Sequence, residues 1–409
     1  IPARQYGFHE PGFGQLRAYI CHGRAVYQHE CLADECVGHR FPHWLGVRTN
    51  YVSGLCSLGQ LSVSERTDRC ELLSRARLNS SSMDRVLLVT KNMPPTVGGM
   101  ERLNWHMAEE LSKVAEVHVI GPRGFASFAP EGVICHEVSS ASLLLLMAGM
   151  LFRAAVLSRV LKPNIIVAGS GLTAPIVWFA GCLSASRTAA YLHGLDIATM
   201  HPLYRWVWLP SLRKLDTIVC NSRATIACAR HKGIRDDRLI QLSPGVTMPP
   251  PDIGLRAKAR NALDLGNRPT LIIVGRFTAR KGISAFLRYA LPSILEARPD
   301  LALLLVGGPP KRAIAGGGES IELLQAIAKD VGVNHCIRWI GEVTDRESLR
   351  SLYAAADVHI FPVLEREGDP EGFGMVALEA AANGLHTVAF ATGGVIDAVC
   401  EEDSGHLVE

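Results

Sequence analysis

Apolar positions recur along this chain in two alternating patterns: short continuous runs and longer amphipathic stretches. The first clear run, Arg85 to Thr90 (RVLLVT), is the kind of block that forms a strand buried on both faces. A loop from Lys91 to Gly99 and an amphipathic helix from Met100 to Lys113 follow it. Strand-like runs return at Glu116 to Ile120, Asn164 to Ala168, Thr188 to Leu192 and Thr217 to Cys220. Strand and helix in alternation predict a doubly wound α/β domain, whose ligands lie beyond the carboxyl ends of the strands.

The periodicity breaks at Leu242 to Gly254, LSPGVTMPPPDIG, where prolines and glycines mark an interdomain hinge. A second set of strands is expected at Thr270 to Val274, Leu301 to Val306, Ile337 to Ile340, Asp357 to Phe361 and Thr387 to Phe390. The chain therefore divides into two Rossmann-like domains, one over 83–247 and one over 248–409.

Between Ser142 and Leu161 lies the most apolar stretch, SLLLLMAGMLFRAAVLSRVL. Arg153 and Arg159 interrupt it and it is short for a bilayer span, so a helix packed on the sheet is expected. Tyr204 to Pro210, YRWVWLP, precedes Arg213, Lys214, Arg223, Arg230, Lys232, Arg235 and Arg238. Aromatics interleaved with cations suit peripheral contact with an anionic leaflet, the alternative being solvated helix faces.

Residues 1–82 differ from the rest. They hold no Met and no Lys, carry Cys21, Cys31, Cys36, Cys56 and Cys70, and show no sustained periodicity or signal-peptide pattern. Met83 stands directly before the first strand, so the preceding residues are expected to be an irregular extension, foreign to the protein or a disordered arm. Cys31, Cys36, His39 and His43 could supply four zinc ligands, but their spacing matches no zinc finger closely and no apolar framework surrounds them. No metal is assigned.

Composition changes this picture little. A hydrophobic share of 48% with 20% charged residues is a globular balance, and 409 residues accommodate two cores. The net charge of +3 gives no nucleic-acid signature. Cys135, Cys182, Cys220, Cys228, Cys336 and Cys400 are scattered in or beside apolar segments and read as buried thiols of a reducing, cytoplasmic setting.

The chemistry concentrates in FPVLEREGDPEGFGMVALEAAANG, Phe361 to Gly384. Strand, glycine turn and helix follow in order, with Glu371 at the mouth of the turn Gly372, Phe373, Gly374 and Glu379 within the helix. Unpaired N–H groups and the dipole at the helix start favour an anion. Eight helical residues span roughly 12 Å. That distance suits a ligand with hydroxyls at both ends and negative charge between them, the layout of a nucleotide diphosphate sugar.

This segment resembles the signature of the retaining glycosyltransferases of family four, which have the two-domain GT-B fold with a cleft between Rossmann-like domains. Other stretches resemble that family in the expected order. YLHGLDI, Tyr191 to Ile197, is similar to its HGxD segment, with His193, Gly194 and Asp196. GRFTARKG is similar to its GR…KG signature at Gly275, Arg276, Lys281 and Gly282. Gly98 and Gly99 follow the first strand, where the backbone can approach a ligand or the facing domain, or simply turn. The segment matching Gly341 to Val343 lies, in the family, against the nucleobase. The family usually continues beyond the point matching GHLVE, so the chain is expected to be truncated at its end.

The resemblance implies hexosyl transfer from a UDP- or GDP-linked sugar to a hydroxyl acceptor, including lipid-linked ones, with retention of anomeric configuration. It implies that Glu371 holds sugar hydroxyls, Glu379 the ribose, and His193 the donor sugar near the reacting carbon. Arg276 and Lys281, with the turn at Gly372 to Gly374, would stabilise the departing diphosphate. A phosphate oxygen of the donor would take the acceptor proton. No cofactor is expected, and no Asp-x-Asp pair for a divalent metal occurs in the chain. Glycolipid or surface-polysaccharide synthesis at the inner face of a membrane is the family's implication for its setting.

Other functions leave different marks. A dinucleotide-dependent dehydrogenase would open with G-x-G-x-x-G, where this chain has KNMPPTVGG. A non-catalytic nucleotide-sugar-binding protein would bind donor without product formation, and a synthase would take a soluble sugar phosphate as acceptor.

Overall fold

The computed structural model describes Arg17–Cys21, Arg24–Tyr27 and residues 83–409 apart from 97, 199–203, 311–317 and 367. Within 1–82 the described part is a hairpin of β1 (Arg17–Cys21) and β2 (Arg24–Tyr27), with β1 antiparallel to β10 (Val246–Thr247). The zinc candidates Cys31, Cys36, His39 and His43 lie outside the described residues.

Two parallel sheets carry the molecule. The first has the order β5-β4-β3-β6-β7-β8-β9, built from Arg85–Val89 (β3), Glu116–Pro122 (β4), Val133–Val138 (β5), Ile165–Ala168 (β6), Arg187–Leu192 (β7), Thr217–Cys220 (β8) and Leu239–Gln241 (β9). The second has the order β13-β12-β11-β14-β15-β16, from Thr270–Val274 (β11), Ala302–Val306 (β12), Ile337–Gly341 (β13), Val358–Phe361 (β14), His386–Phe390 (β15) and Gly405–Val408 (β16). Strands buried on both faces explain the unbroken apolar runs: β3, β6, β11 and β12 are buried almost throughout. The strands expected from sequence are present. β5, β9 and β16 were not anticipated, being short or carrying polar residues such as His136 and Glu137 in β5.

In each sheet the strand order reverses once, between β3 and β6 in the first and between β11 and β14 in the second. Loops leaving the carboxyl ends of adjacent strands diverge there and open a crevice. The loops after β11 and β14 are those that carry Arg276, Lys281 and Glu371.

The long apolar helix packs on the first sheet as expected, but by one face only. Helix α1 spans Gly99–Ser112 and α2 Leu143–Leu161. The Ser142 hydroxyl caps α2 by accepting the Leu145 N–H at 3.2 Å, and Lys162 ends it in a left-handed turn before Pro163. A narrow stripe of Leu146, Met150, Ala154 and Ser158 is buried on the core, while most of the helix is exposed. Packing on the sheet thus accounts for one face of α2 only.

The basic run after Tyr204 is also different from its expected form. Arg230 pairs with Asp236, Arg235 with Asp237 and Arg223 with Asp397, while Arg213 and Arg238 donate to backbone carbonyls. These cations are largely engaged within the protein. Of the described cysteines, Cys220, Cys336 and Cys400 are buried, but Cys182 is exposed.

Candidate active site

Helix α3 spans Arg346–Ala355, α4 Met375–Ala382 and α5 Val395–Ala398. The site gathers at the start of α4. Gly374, in the left-handed region at φ 99°, turns the chain from the loop after β14 into the helix and leaves its first N–H groups without a side-chain cap. Glu371 stands just before that turn. Lys281, delivered by the loop after β11, donates to Glu371 Oε2 at 2.7 Å, and its Nζ lies 4.5 Å from the centre of the Phe361 ring.

Arg280 is a third cation that sequence reasoning missed. It donates to the Pro370 carbonyl at 2.8 Å and lies 3.5 Å from Glu371 and 3.6 Å from Asp369. Burial pushes the Glu371 carboxyl up, but Lys281, Arg280 and Arg276 more than offset this and hold it below its ordinary value. Burial lowers the Lys281 ammonium, which Glu371 partly restores. Arg276 itself is exposed at the rim. The cluster is an anchored carboxylate among three cations, a setting that favours an incoming anion.

Beneath it lies His359, fully buried between Tyr353 and Phe361, with Nδ1 3.0 Å from Thr387 Oγ1. Burial, then Lys281, pushes its pKa down to about 3, so the ring is neutral. Three glycine-bearing strand ends are also joined: Gly275 N–H donates to Val306, and Gly307 N–H to the Gly341 carbonyl at 2.7 Å. Gly341 and Val343 thus sit at the edge of the same crevice, with Val343 partly packed on the core.

The first sheet meets this cluster directly. A Cβ on Gly372 would stand 1.7 Å from the His193 carbonyl oxygen, so only glycine permits the contact between the HG turn and the GFG turn. His193 is held from both sides. Its N–H donates to Asp196 Oδ1 and its Nε2 is 2.8 Å from the Gly169 carbonyl. The Gly169 carbonyl can only accept, so Nε2 is the donor in that bond. Asp196 also accepts the Gly171 N–H at 2.8 Å, so it clamps the loops after β6 and β7 together. Asn221, a residue with no sequence signal, approaches Gly372 from the end of β8.

The pair Gly98 and Gly99 opens α1, and Gly99 faces the side chain of Met375, the first residue of α4. The starts of two helices therefore converge on one space, and their dipoles add there. Glu379 lies apart from the Lys281 cluster. It forms an ion pair with Arg102 of α1, and Tyr353 Oη is 3.5 Å from its other oxygen. Burial raises the Glu379 carboxyl above its ordinary value, outweighing Arg102. Two more contacts cross the cleft: Arg346 donates to His106 Nε2 at 2.8 Å, and Asp397 of α5 accepts both the backbone and side-chain N–H of Arg223 at 2.6 Å. Neither Arg102 nor Asp397 was legible in the sequence, since their partners lie far away along the chain.

Two doubly wound units that face each other through anion-favouring turns, with cations and carboxylates at the switch point, have the GT-B architecture of nucleotide-sugar transferases. Comparison with known proteins agrees. Residues 97–248 match the family described as Glycosyltransferase Family 4, and 256–409 match Glycosyl transferases group 1. The chain belongs to the group 1 GT-B glycosyltransferases, enzymes that use nucleotide sugars. It is 30% identical over 349 residues to the GDP-mannose-dependent alpha-(1-6)-phosphatidylinositol monomannoside mannosyltransferase of Mycobacterium tuberculosis strain H37Rv, covering 80% of this chain and 86% of that protein. A D-inositol 3-phosphate glycosyltransferase of Corynebacterium jeikeium is 35% identical over 159 residues, 38% of this chain and 35% of that one. Among solved structures, Anabaena Alr3699/HepE in complex with UDP-glucose superposes with a TM-score of 0.63 at 19% identity, covering 79% of this chain and 85% of that one, a likeness of fold.

Proposed function

We propose that the protein transfers a hexosyl unit, mannosyl from GDP-mannose in the first instance, to a hydroxyl of an inositol-containing lipid, with retention of configuration. The observation that carries the reading is the Lys281–Glu371 pair, set at the switch point beside the start of α4 and beneath the His193–Gly372 junction. The choice of mannosyl and of a lipid-linked acceptor leans on the mycobacterial relative.

In this reading the bond between the anomeric carbon and the donor phosphate oxygen breaks as the acceptor oxygen bonds to that carbon. The acceptor proton passes to the departing diphosphate. Arg276, Arg280, Lys281 and the paired helix starts stabilise the charge that grows on that diphosphate. Glu371 accepts hydrogen bonds from the sugar, strengthened as positive charge develops on the ring. Glu379 takes the ribose and His193 supports the sugar from the first sheet, so the reaction runs with the cleft closed. Protein cations and helix starts take the place of a divalent metal. The working place is the cytoplasmic face of a membrane.

Thermal shift with a panel of nucleotide sugars tests the donor, because a ligand of the folded state raises its melting temperature. GDP-mannose should give the largest shift, and the transferred sugar should keep the donor's anomeric configuration by NMR. An inverted product, or no response to any nucleotide sugar, would overturn the reading. Binding without product would identify a non-catalytic protein. The inositol phosphate relatives favour a second reading, a soluble phosphorylated acceptor, which competition between soluble and lipid-linked acceptors resolves.

A further inference from the structure

We propose that His106 and Arg346 form a pH-sensitive latch, which holds the cleft closed at neutral pH and releases it in mild acid. Arg102 and His106 stand one turn apart on α1, so they share the face that is turned to the second sheet. Arg102 reaches Glu379 of α4, and His106 meets Arg346, the first residue of α3, at 2.8 Å. The first contact joins opposite charges. The second joins an imidazole to a guanidinium, so it exists only while the imidazole is neutral.

The hydrogen-bond roles leave no other choice. A guanidinium stays protonated and has no lone pair to offer, so Arg346 donates and His106 Nε2 accepts. The opposite ring nitrogen, Nδ1, lies 3.1 Å from Glu109 Oε2 and donates its hydrogen there, which fixes that tautomer. Trp105, beside His106 on α1, has the Arg346 guanidinium 5.9 Å from the centre of its ring and is anchored by its own N–H to the Phe128 carbonyl at 2.6 Å. Asp345 caps α3 by accepting the Ser348 N–H at 2.8 Å, so the base of the Arg346 arm is fixed in the second unit. The arm spans the cleft between two anchored ends.

A second proton on the imidazole reverses the contact. Nε2–H then faces the Arg346 donors, and two positive charges meet. Around the ring stand Glu109 and Glu110 on its own helix and Arg346 from α3; Glu110 is paired with Lys113 at 2.8 Å, and Arg102 with Glu379. Burial, helped by Arg346, holds the ring below its ordinary 6.5 against the pull of Glu109 and Glu110. Opening removes both the burial and the guanidinium, so the open form takes up the proton more readily. The contribution to closure is therefore complete above about pH 6.5 and is lost as the pH falls toward the closed-form value, by a factor of up to about ten per pH unit. Glu379, which burial raises, also takes up a proton in acid, and its pair with Arg102 then loses its charge. Substitution separates the two contributions.

The latch needs no substrate; only its effect on donor use rests on the reading above. The test is small-angle scattering of the full chain, without donor, from pH 7.5 to 5. The radius of gyration should rise as the pH falls, with far-ultraviolet circular dichroism unchanged. His106→Gln keeps an acceptor toward Arg346 at every pH, so it should remove most of this rise, the remainder belonging to Glu379. Arg346→Gln should also flatten the response, because a protonated His106 then meets no charge. A wild-type radius that does not change with pH, a rise of equal size in His106→Gln, or a rise that merely tracks loss of the circular dichroism signal would overturn the proposal.

Discussion

Arg102 and Glu379 meet across the cleft: a guanidinium from the first turn of α1 pairs with a carboxylate in the middle of α4, 277 residues later in the chain. Glu379 is the side chain proposed to hold the donor ribose, so donor binding exchanges this pair for hydroxyl contacts. Arg102→Gln keeps a hydrogen-bond donor but removes the charge. Its KM for the donor should fall a few-fold, since charged hydrogen bonds are worth about 1.5–3 kcal/mol and only part of that is released. A rise in KM would instead mean that Arg102 stays with the bound donor.

Glu371 and Glu379 should fail differently. Glu371 is the side chain proposed to face the reacting sugar, so Glu371→Gln should lower kcat by about tenfold or more with little change in donor affinity. Glu379 is proposed to contact a ribose that does not change, which is uniform binding, so Glu379→Gln should mainly raise KM. Steady-state kinetics with the two results exchanged would refute this division of labour.

Gly372→Ala should cost about a hundredfold in turnover, the scale of a misplacement of roughly 1 Å. A methyl group there would strike the His193 carbonyl and pry the two sheets apart, while each sheet keeps its own core. Far-ultraviolet circular dichroism should be unchanged, and small-angle scattering should report a wider molecule. Full activity of this variant would remove the HG–GFG contact from the mechanism.

Acid should destabilise the protein through His359, whose pKa is about 3 in the fold against an ordinary 6.5. Between those values the unfolded chain binds the proton and the folded chain does not. The stabilising contribution is therefore complete above about pH 6.5 and declines by about 1.4 kcal/mol per pH unit as the pH falls toward 3. Urea unfolding from about pH 6 to 4 should show a slope lessened by that amount in His359→Gln. Equal slopes in the two proteins would show that His359 is protonated in the fold.

Activity should survive a chelator if, as proposed, Arg276, Arg280 and Lys281 meet the diphosphate charge. Loss of turnover on chelation, restored by manganese or magnesium, would reverse that assignment.

The sequence by itself determined the two sheets and the order of the chemical groups. A strand buried on both faces must be apolar along its length, so runs such as RVLLVT and TLIIV declare themselves. Lys281 and Glu371 were legible because their glycine turns mark them, and the structure brings them to 2.7 Å. Only the tertiary structure decided how the halves meet. Arg102 with Glu379, Arg346 with His106 and Arg223 with Asp397 join residues separated by 277, 240 and 174 positions, and no local pattern encodes such pairs. The outward face of α2 was equally hidden. Hydropathy along a helix records how apolar it is, and whether one face or both is covered depends on which neighbours the fold supplies.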